Sequence, residues 1–365
     1  MISKQDIGKF LITYDPEKPQ TKFTDLELAL SPLAKLPAPL MAKPVDWPAA
    51  KTPTPQPLNP APAESDDLTR FAGYDVVVVT WTSAEAASLA ALFTPGYKLG
   101  DWYEYRHNVQ NYIDVVVGSK SPFLSTDPDD ARYYHSMGLY FPCTIGTTKV
   151  LLFKSGLHFC YDGPAFPVKT LMKEIYQAVQ PKVFITTGTG GAIGKNVLLG
   201  DVVIAPQITF DCTTPAYVNE QFNKAKYNTS PLPANFRTAM PDDLLKVNGA
   251  RVTDGVPVPN IWTDNASLIV TTDTYEYDDV QNSNNLQGLG RACDMGDAMV
   301  ALALQGIPGL QFYAIRNASD PQMAVPDAQQ NDPTQTSFGI YHYWGGVTTA
   351  ASVIATWKLI TTIYP

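Results

Sequence analysis

Asp75-Val76-Val77-Val78-Val79-Thr80 is an unbroken β-branched run, the mark of a strand buried on both faces. A short helix follows, with Ala86, Leu89, Ala90 and Phe93 on one face. Downstream, strand candidates recur at Tyr112 to Val117, Lys149 to Phe153, Val183 to Thr187, Asp201 to Ala205, Leu268 to Thr271 and Gln311 to Arg316. Between two of them Val168, Leu171, Met172, Ile175, Ala178 and Val179 fall at i, i+3, i+4, i+7 spacing, which describes an amphipathic helix packed on a sheet. Met295 to Leu304 reads as a more buried helix, and Ala350, Val353, Ile354, Trp357 and Ile360 mark another near the C-terminal end. Strands alternating with helices imply an α/β sandwich around a mixed or mostly parallel sheet. Ligands of such folds sit beyond the carboxyl ends of strands.

Upstream of that run the character of the chain changes. From Pro32 to Pro62 prolines recur every few residues, as in Pro53-Thr54-Pro55-Gln56-Pro57. Proline sets φ and removes a backbone donor, so neither regular helix nor central strand can form there. Residues 1–70 therefore read as an arm, disordered or wrapped over the domain formed by residues 71–365. Leu33, Leu36, Leu40, Met41 and Trp47 favour wrapping.

Hydrophobic residues make up 45% of the 365, ordinary for a globular protein with a substantial core. The formal charge of −9, with no cluster of Lys and Arg, argues against a nucleic-acid partner. Cys143, Cys160, Cys212 and Cys293 are scattered without metal-ligand spacing, so buried free thiols in a reducing compartment are expected. The first residues lack the apolar run of a secretory signal, and no stretch of about 18 apolar residues suggests a membrane span. A cytoplasmic protein with no membrane partner is the expectation.

Four segments place unusual residues just past a strand. Thr187-Gly188-Thr189-Gly190-Gly191-Ala192-Ile193-Gly194 follows Val183 to Thr187, and its glycines let backbone N–H groups approach a ligand. It is neither the dinucleotide pattern, because Ile193 stands where the last glycine belongs, nor a P-loop, because Thr189 and Asn196 break that motif. A tight strand-to-helix turn explains it equally well. Thr80-Trp81-Thr82-Ser83-Ala84-Glu85 closes the first strand, and Thr82 with Glu85 forms a capping-box pattern that accounts for the glutamate without any chemistry. Leu268 to Tyr275 ends in polar residues and an aromatic, which stacks on a base or simply packs. Asp294-Met295-Gly296-Asp297 opens a helix, where acidic residues gain from the dipole. Beyond it lies Arg316-Asn317-Ala318-Ser319-Asp320, in which Asp320 is a site candidate or an Asx-turn residue.

In this order and at these separations the four segments resemble the nucleoside phosphorylase/uridine phosphorylase superfamily. Within it the methylthioadenosine/S-adenosylhomocysteine nucleosidases are the group most resembled. The likeness spans roughly residues 74–364. It rests on Thr187 to Gly194 with Leu199-Gly200-Asp201-Val202-Val203, on Leu268 to Tyr275, and on Arg316 to Asp320. The resemblance implies a three-layer α/β/α sandwich with a central mixed sheet, phosphorylase/hydrolase-like, in a homo-oligomer that needs no cofactor or metal. It implies that Asp320 is the acid at N7 of a leaving purine, with Ser319 orienting it, and that Tyr275 stacks on the base. Gly188, Thr189, Gly190 and Gly191 would hold nucleophile and ribose, Glu85 would activate water, and Met295 would lie under the sugar. Departure of the base puts positive charge on the sugar and negative charge on the base. An acid and a base each contribute roughly 10²–10⁴-fold there, and Asp320 must be buried to stay protonated.

Phosphorolysis needs cations for phosphate. The arginine that phosphorylases of this family place two residues before the first glycine is Thr186 here, and Trp81 to Ala84 carries none. Hydrolysis of a purine nucleoside, adenosine-type or 5′-substituted, is therefore expected ahead of a phosphate-dependent phosphorylase. Arg132, Arg291 or an arginine from a neighbouring subunit remain possible phosphate ligands. The family's ribose-binding glutamate is replaced by Gly296; Asp297 takes that role if the register shifts by one, and otherwise an altered sugar or a non-catalytic, permease-like nucleoside-binding protein fits. His158 is a substrate contact or a satisfied core histidine, and the insertions 211–266 and 321–341 are lids or subunit contacts.

Overall fold

The computed structural model describes residues 37–42, 44–116, 137–159, 167–236 and 259–365. In chain order the strands begin with β1 (Pro53–Pro55), β2 (Val76–Thr80), β3 (Tyr103–Tyr105), β4 (Gly138–Ile145), β5 (Thr148–Ser155) and β6 (Val183–Ala192). They continue with β7 (Val202–Ile204), β8 (Gln207–Asp211), β9 (Lys226–Asn228), β10 (Ile261–Trp262), β11 (Ile269–Thr272), β12 (Ala292–Asp294) and β13 (Gln311–Asp320). The helices are α1 (Ser83–Phe93), α2 (Val109–Val116), α3 (Pro167–Val179), α4 (Asp297–Leu304) and α5 (Ser337–Ile363).

All five residues of β2 are buried, as a strand without a polar face requires. Side chains alternate across a strand, and the valines divide accordingly. Val77 and Val79 face Leu171, Met172 and Ile175 of α3 and Val300 and Leu304 of α4. Val76 and Val78 face Leu89 and Phe93 of α1 and Val353 and Ile354 of α5. Helices thus cover both faces of one mixed sheet, and the architecture is the α/β/α sandwich expected.

The sheet runs β1-β4-β5-β2-β6-β12-β11-β8-β9, and it forks at β6. The first half of β6 lies beside β2 in parallel, its end pairs antiparallel with β12, and β13 accompanies it in parallel throughout. Two expected boundaries move as a result. The glycine segment is not a turn after the strand: it is the second half of β6, which pairs through Ala192 because β13 and β12 supply hydrogen-bonding edges on both sides. Likewise β13 continues past Arg316 to Asp320.

One expected strand is a helix. Tyr112 to Val117 carries β-branched residues, yet residues Val109–Val116 are helical. Val109, Tyr112, Ile113 and Val116 stand at i, i+3, i+4, i+7, so the helical period begins three residues before the apparent strand. Val109 and Tyr112 both pack on the core.

The described part of the arm, from residue 37, lies on the domain. β1 pairs antiparallel with β4 as an edge strand, the one sheet position where proline is tolerated. Trp47 packs on Trp357 with ring centroids 4.9 Å apart, and Trp357 Nε1 donates to the Lys51 carbonyl at 2.7 Å. Leu40 N donates to the Tyr343 carbonyl at 2.9 Å. α5 is much longer than the periodic stretch first recognised. It is long and apolar enough to cross a membrane, but 78% of its most apolar window is buried, and it forms part of the core against the sheet.

Ile185, the third residue of β6, is fully buried against the α1/α5 layer. Replacing it with alanine is expected to cost about 2–5 kcal/mol, read as a lower urea midpoint at unchanged m-value.

Candidate active site

The carboxyl ends of β2, β6, β11, β12 and β13 converge on a pocket, where ligands of such sheets bind. From β2 and the first turn of α1 come Trp81, Thr82 and Glu85, and from β6 Thr189, Gly190 and Gly191. Thr272, Tyr275, Glu276, Cys293, Asp294, Met295 and Gly296 form another wall, Arg316, Ser319 and Asp320 the floor, and His158 and Tyr341 complete it.

Asp320 owes its position to a bulge. Ala318 pairs with Gly190 and Asp320 with Gly191, leaving Ser319 as an extra residue; such bulges re-aim side chains. Ser319 Oγ donates to Asp320 Oδ1 at 2.9 Å and is 3.3 Å from the Gly190 carbonyl. Asp320 Oδ2 is buried with no hydrogen-bond partner. Burial is the main cause that raises this carboxyl to about 7, with the charge of Asp327 adding to it and the Ser319 bond opposing it. Asp320 thus lines the pocket with one carboxyl oxygen that has no partner. A side chain at 191 would crowd it, since a Cβ there lies 3.2 Å from Oδ2.

Glu85 is the opposite case. The capping box read from Thr82 and Glu85 forms: Glu85 N donates to Thr82 Oγ1 at 3.2 Å, and Thr82 N to Glu85 Oε2 at 2.9 Å. The same carboxylate also lines the pocket. Oε2 accepts further bonds from Thr80 Oγ1 at 2.7 Å and Trp81 N at 2.9 Å. Oε1 accepts from the backbone N and Oγ1 of Thr189, each at 2.7 Å. Burial pushes the Glu85 carboxyl up, but Arg316, Thr189 and the backbone donors outweigh it, and the group is held below its usual range. Gly188 lies outside the lining but makes this approach possible. Its φ is +151°, and a Cβ there would stand 2.4 Å from the Glu85 carboxyl carbon.

Thr189 and Gly191 are two residues apart on β6, hence on one face and roughly 7 Å apart. Thr189 contacts Glu85 and Gly191 lies beside Asp320, so the two carboxyl groups stand at neighbouring stations along one strand.

Arg316, quoted in the motif but not singled out as a site residue, is the centre of the floor. It is buried, and its Nε donates to Asp297 Oδ2 at 2.8 Å while Nη2 donates to Asp297 Oδ1. Nη2 also lies 3.1 Å from Asp294 Oδ2, and Nη1 3.6 Å from Glu85 Oε1. The guanidinium lies over the Trp81 ring, 4.8 Å from its centroid. Burial would lower the Arg316 pKa, but Asp297, Asp294 and Glu85 together raise it. Asp294 accepts from Thr271 Oγ1 at 2.5 Å and from the backbone N of Gly296 and Asp297 at 2.9 and 2.8 Å. Its carboxyl is raised by burial and by the neighbouring Asp297, against the pull of Arg316.

Asp297, considered for the sugar hydroxyls, is fully buried, does not line the pocket, and is taken up by Arg316. Tyr275 and Met295 do line it, and Tyr275 OH bonds Ser337 Oγ at 3.2 Å. His158 is a buried wall residue kept neutral, its pKa lowered to about 3 mainly by burial. Arg291 is elsewhere, paired with Asp264 at 2.8 Å and stacked on Trp262, while Arg132 and Cys160 fall outside the described residues. Sequence reasoning passed over Arg316, Trp81 and Tyr341. An arginine inside an apolar strand is a usable signal, because a buried charge demands partners. Tyr341, whose OH lies 3.0 Å from Thr82 Oγ1, carries no local signal. Among the described residues no group of three or more His, Cys, Asp or Glu is arranged for a metal ion.

A family model described as the phosphorylase superfamily matches residues 116–337, more than half of the chain. No curated protein sequence matches. Among solved structures, the chain is similar to a 5′-methylthioadenosine/S-adenosylhomocysteine nucleosidase from Neisseria meningitidis in complex with methylthio-immucillin-A. That match has a TM-score of 0.48 and 12% identity, over 79% of this chain and 98% of that one. A futalosine hydrolase of Helicobacter pylori matches with a TM-score of 0.47 and 12% identity, over 79% and 97%. A nucleosidase of the first kind from Colwellia psychrerythraea, in complex with adenine, matches with a TM-score of 0.48 and 13% identity, over 80% and 96%.

Two stability measurements bear on this arrangement. Arg316→Met strands three buried carboxylates and is expected to cost about 3–5 kcal/mol in urea unfolding. For Asp320, the folded value of about 7 exceeds the unfolded 3.8. Between those pH values the folded chain holds the extra proton, so stability falls as pH rises towards 7. Asp320→Asn removes that loss. The variant should melt above the parent at pH 8, with the gap shrinking as the pH is lowered towards 5.

Proposed function

The chain belongs to the phosphorylase superfamily, and on that footing we propose that it is an N-glycosidase that hydrolyses a purine nucleoside, adenosine-type or 5′-substituted as in methylthioadenosine or S-adenosylhomocysteine. The observation that carries the reading is Asp320, a buried acid with its Oδ1 tied to Ser319 and its Oδ2 free on the pocket. The C1′–N9 bond breaks with its electron pair passing to the base, and N7 takes the proton from Asp320 Oδ2. Water forms the new bond to C1′, its proton passes to the Glu85 carboxylate and on to solvent, and Asp320 regains a proton from solvent. Tyr275 is placed in the wall beside Asp320, where a base would stack.

Positive charge builds on the sugar as the base leaves. Around the sugar end of the pocket, Glu85, Asp294 and Asp297 outnumber the single guanidinium of Arg316, and this excess of carboxylate favours an oxocarbenium-like sugar. The same excess disfavours a phosphate dianion, because Arg316, the one cation lining the pocket among the described residues, is already paired. This supports water over phosphate as nucleophile. Both oxygens of Glu85 are occupied in this state, so a water on that carboxylate must displace one donor. The Thr189 hydroxyl, rotatable and on the pocket wall, is the donor free to turn.

The saturation of Glu85 also favours a second reading, a nucleoside-binding protein without turnover. Incubation with methylthioadenosine, S-adenosylhomocysteine, adenosine and inosine, followed by chromatography of the free base, separates the readings. Hydrolysis predicts base release without phosphate, lowered about 10²–10⁴-fold by Asp320→Asn. Sugar 1-phosphate formed only with phosphate replaces it by phosphorolysis, and tight binding with no base released over hours replaces it by the binding protein. Because Asp320 must carry its proton, turnover is expected to decline as pH rises through about 7.

A further inference from the structure

Two residues that line the pocket each hold a buried polar atom without a partner, Asp320 Oδ2 and Trp81 Nε1. The first has a use in the chemistry above. The second is a donor only, and a buried donor without an acceptor is costly enough to need a reason.

The Trp81 indole is held from several sides. Its edge stands on Gly296, where a Cβ would lie 2.8 Å from Cζ2 and 2.9 Å from Cε2. Arg316 covers a face, and the His158 ring meets it edge-on at 6.5 Å. Position 296 therefore cannot carry a side chain while the indole occupies this place. The ring belongs to the Glu85 end of the pocket, since Trp81 N donates to that carboxylate.

The acceptors at that end are already engaged. Glu85 takes five donors, Asp294 bonds Thr271 Oγ1, two backbone N–H groups and Arg316, and Asp297 is clasped by Arg316. With these bonds in place the three carboxylates present no open pair of acceptors to vicinal hydroxyls, and opening Glu85 takes the same turn of the Thr189 hydroxyl that a water needs. Each hydroxyl brings a hydrogen that needs an acceptor as well as an oxygen that can take a donor. A wall that offers an N–H and withholds its carboxylates suits a sugar with fewer hydroxyl hydrogens.

We infer that Trp81, seated on Gly296, is the sugar-selecting residue: its indole N–H donates to a furanose oxygen, and the site takes 2′-deoxyribonucleosides at least as well as ribonucleosides. This rests on the nucleoside reading of the pocket and deepens it.

The test compares adenosine with 2′-deoxyadenosine, in turnover by the parent protein and in calorimetric binding to Asp320→Asn, where cleavage is suppressed. The deoxynucleoside is expected to match or exceed adenosine in both. Trp81→Phe keeps a ring against Arg316 and removes the N–H; the expected effect is about a three- to tenfold weakening of binding, expressed on KM more than on kcat, with the melting temperature checking the fold. A preference for adenosine above tenfold overturns the inference, and so does Trp81→Phe binding both nucleosides as the parent does. Trp81-dependent binding with no base released sinks the hydrolase and leaves this inference standing. Absence of binding by either nucleoside ends both.

Discussion

Arg316 is a cation inside a sheet, and its partners come from two places in the chain. Asp294 and Asp297 flank the short turn from β12 into α4, and Glu85 sits in the first turn of α1. A guanidinium withdrawn from water needs charge and hydrogen bonds together, so those two segments must arrive at β13 in one geometry. The pocket exists where they meet. Its character follows from the same constraint: carboxylates exceed cations, Asp297 is consumed in the pairing, and the Trp81 ring is pressed between Arg316 and Gly296.

Within that frame two carboxyl groups are driven to opposite protonation states. Glu85 is ringed by five donors and a guanidinium, and it stays ionised. Asp320 is buried with one hydroxyl for company and the charge of Asp327 nearby, and it holds its proton to about neutral pH. Environments that separate the pKa values of two like groups are how one site assigns an acid and an anion. β6 makes the separation possible. Gly188 admits the glutamate and Gly191 the aspartate, both where a Cβ would intrude.

Much of the fold was legible in short-range pattern. The valine run announced β2 and its double burial, the 3.6-residue period announced α3, and Thr82 with Glu85 announced the cap that begins α1. Most of the residues that now line the pocket were legible too, because they follow strands. The misreadings have particular causes. At α2 the helical period was hidden because Val109 lies ahead of the β-branched cluster. At β6 the glycines resembled a turn because their pairing partners are more than 100 residues away in sequence.

Local order was thus the sequence's own to determine: which stretches are strand or helix, which faces are apolar, where strands end in polar residues. Those properties depend on neighbours a few residues apart. What only the tertiary structure decided is how charges are shared among strand ends. No local pattern tells whether Asp297 meets a sugar or Arg316, whether Glu85 caps a helix or serves the pocket as well, or that Tyr341 reaches Thr82 from α5. Electrostatic pairing acts through space between segments far apart in the chain, and its strength depends on separation and burial that only the fold sets.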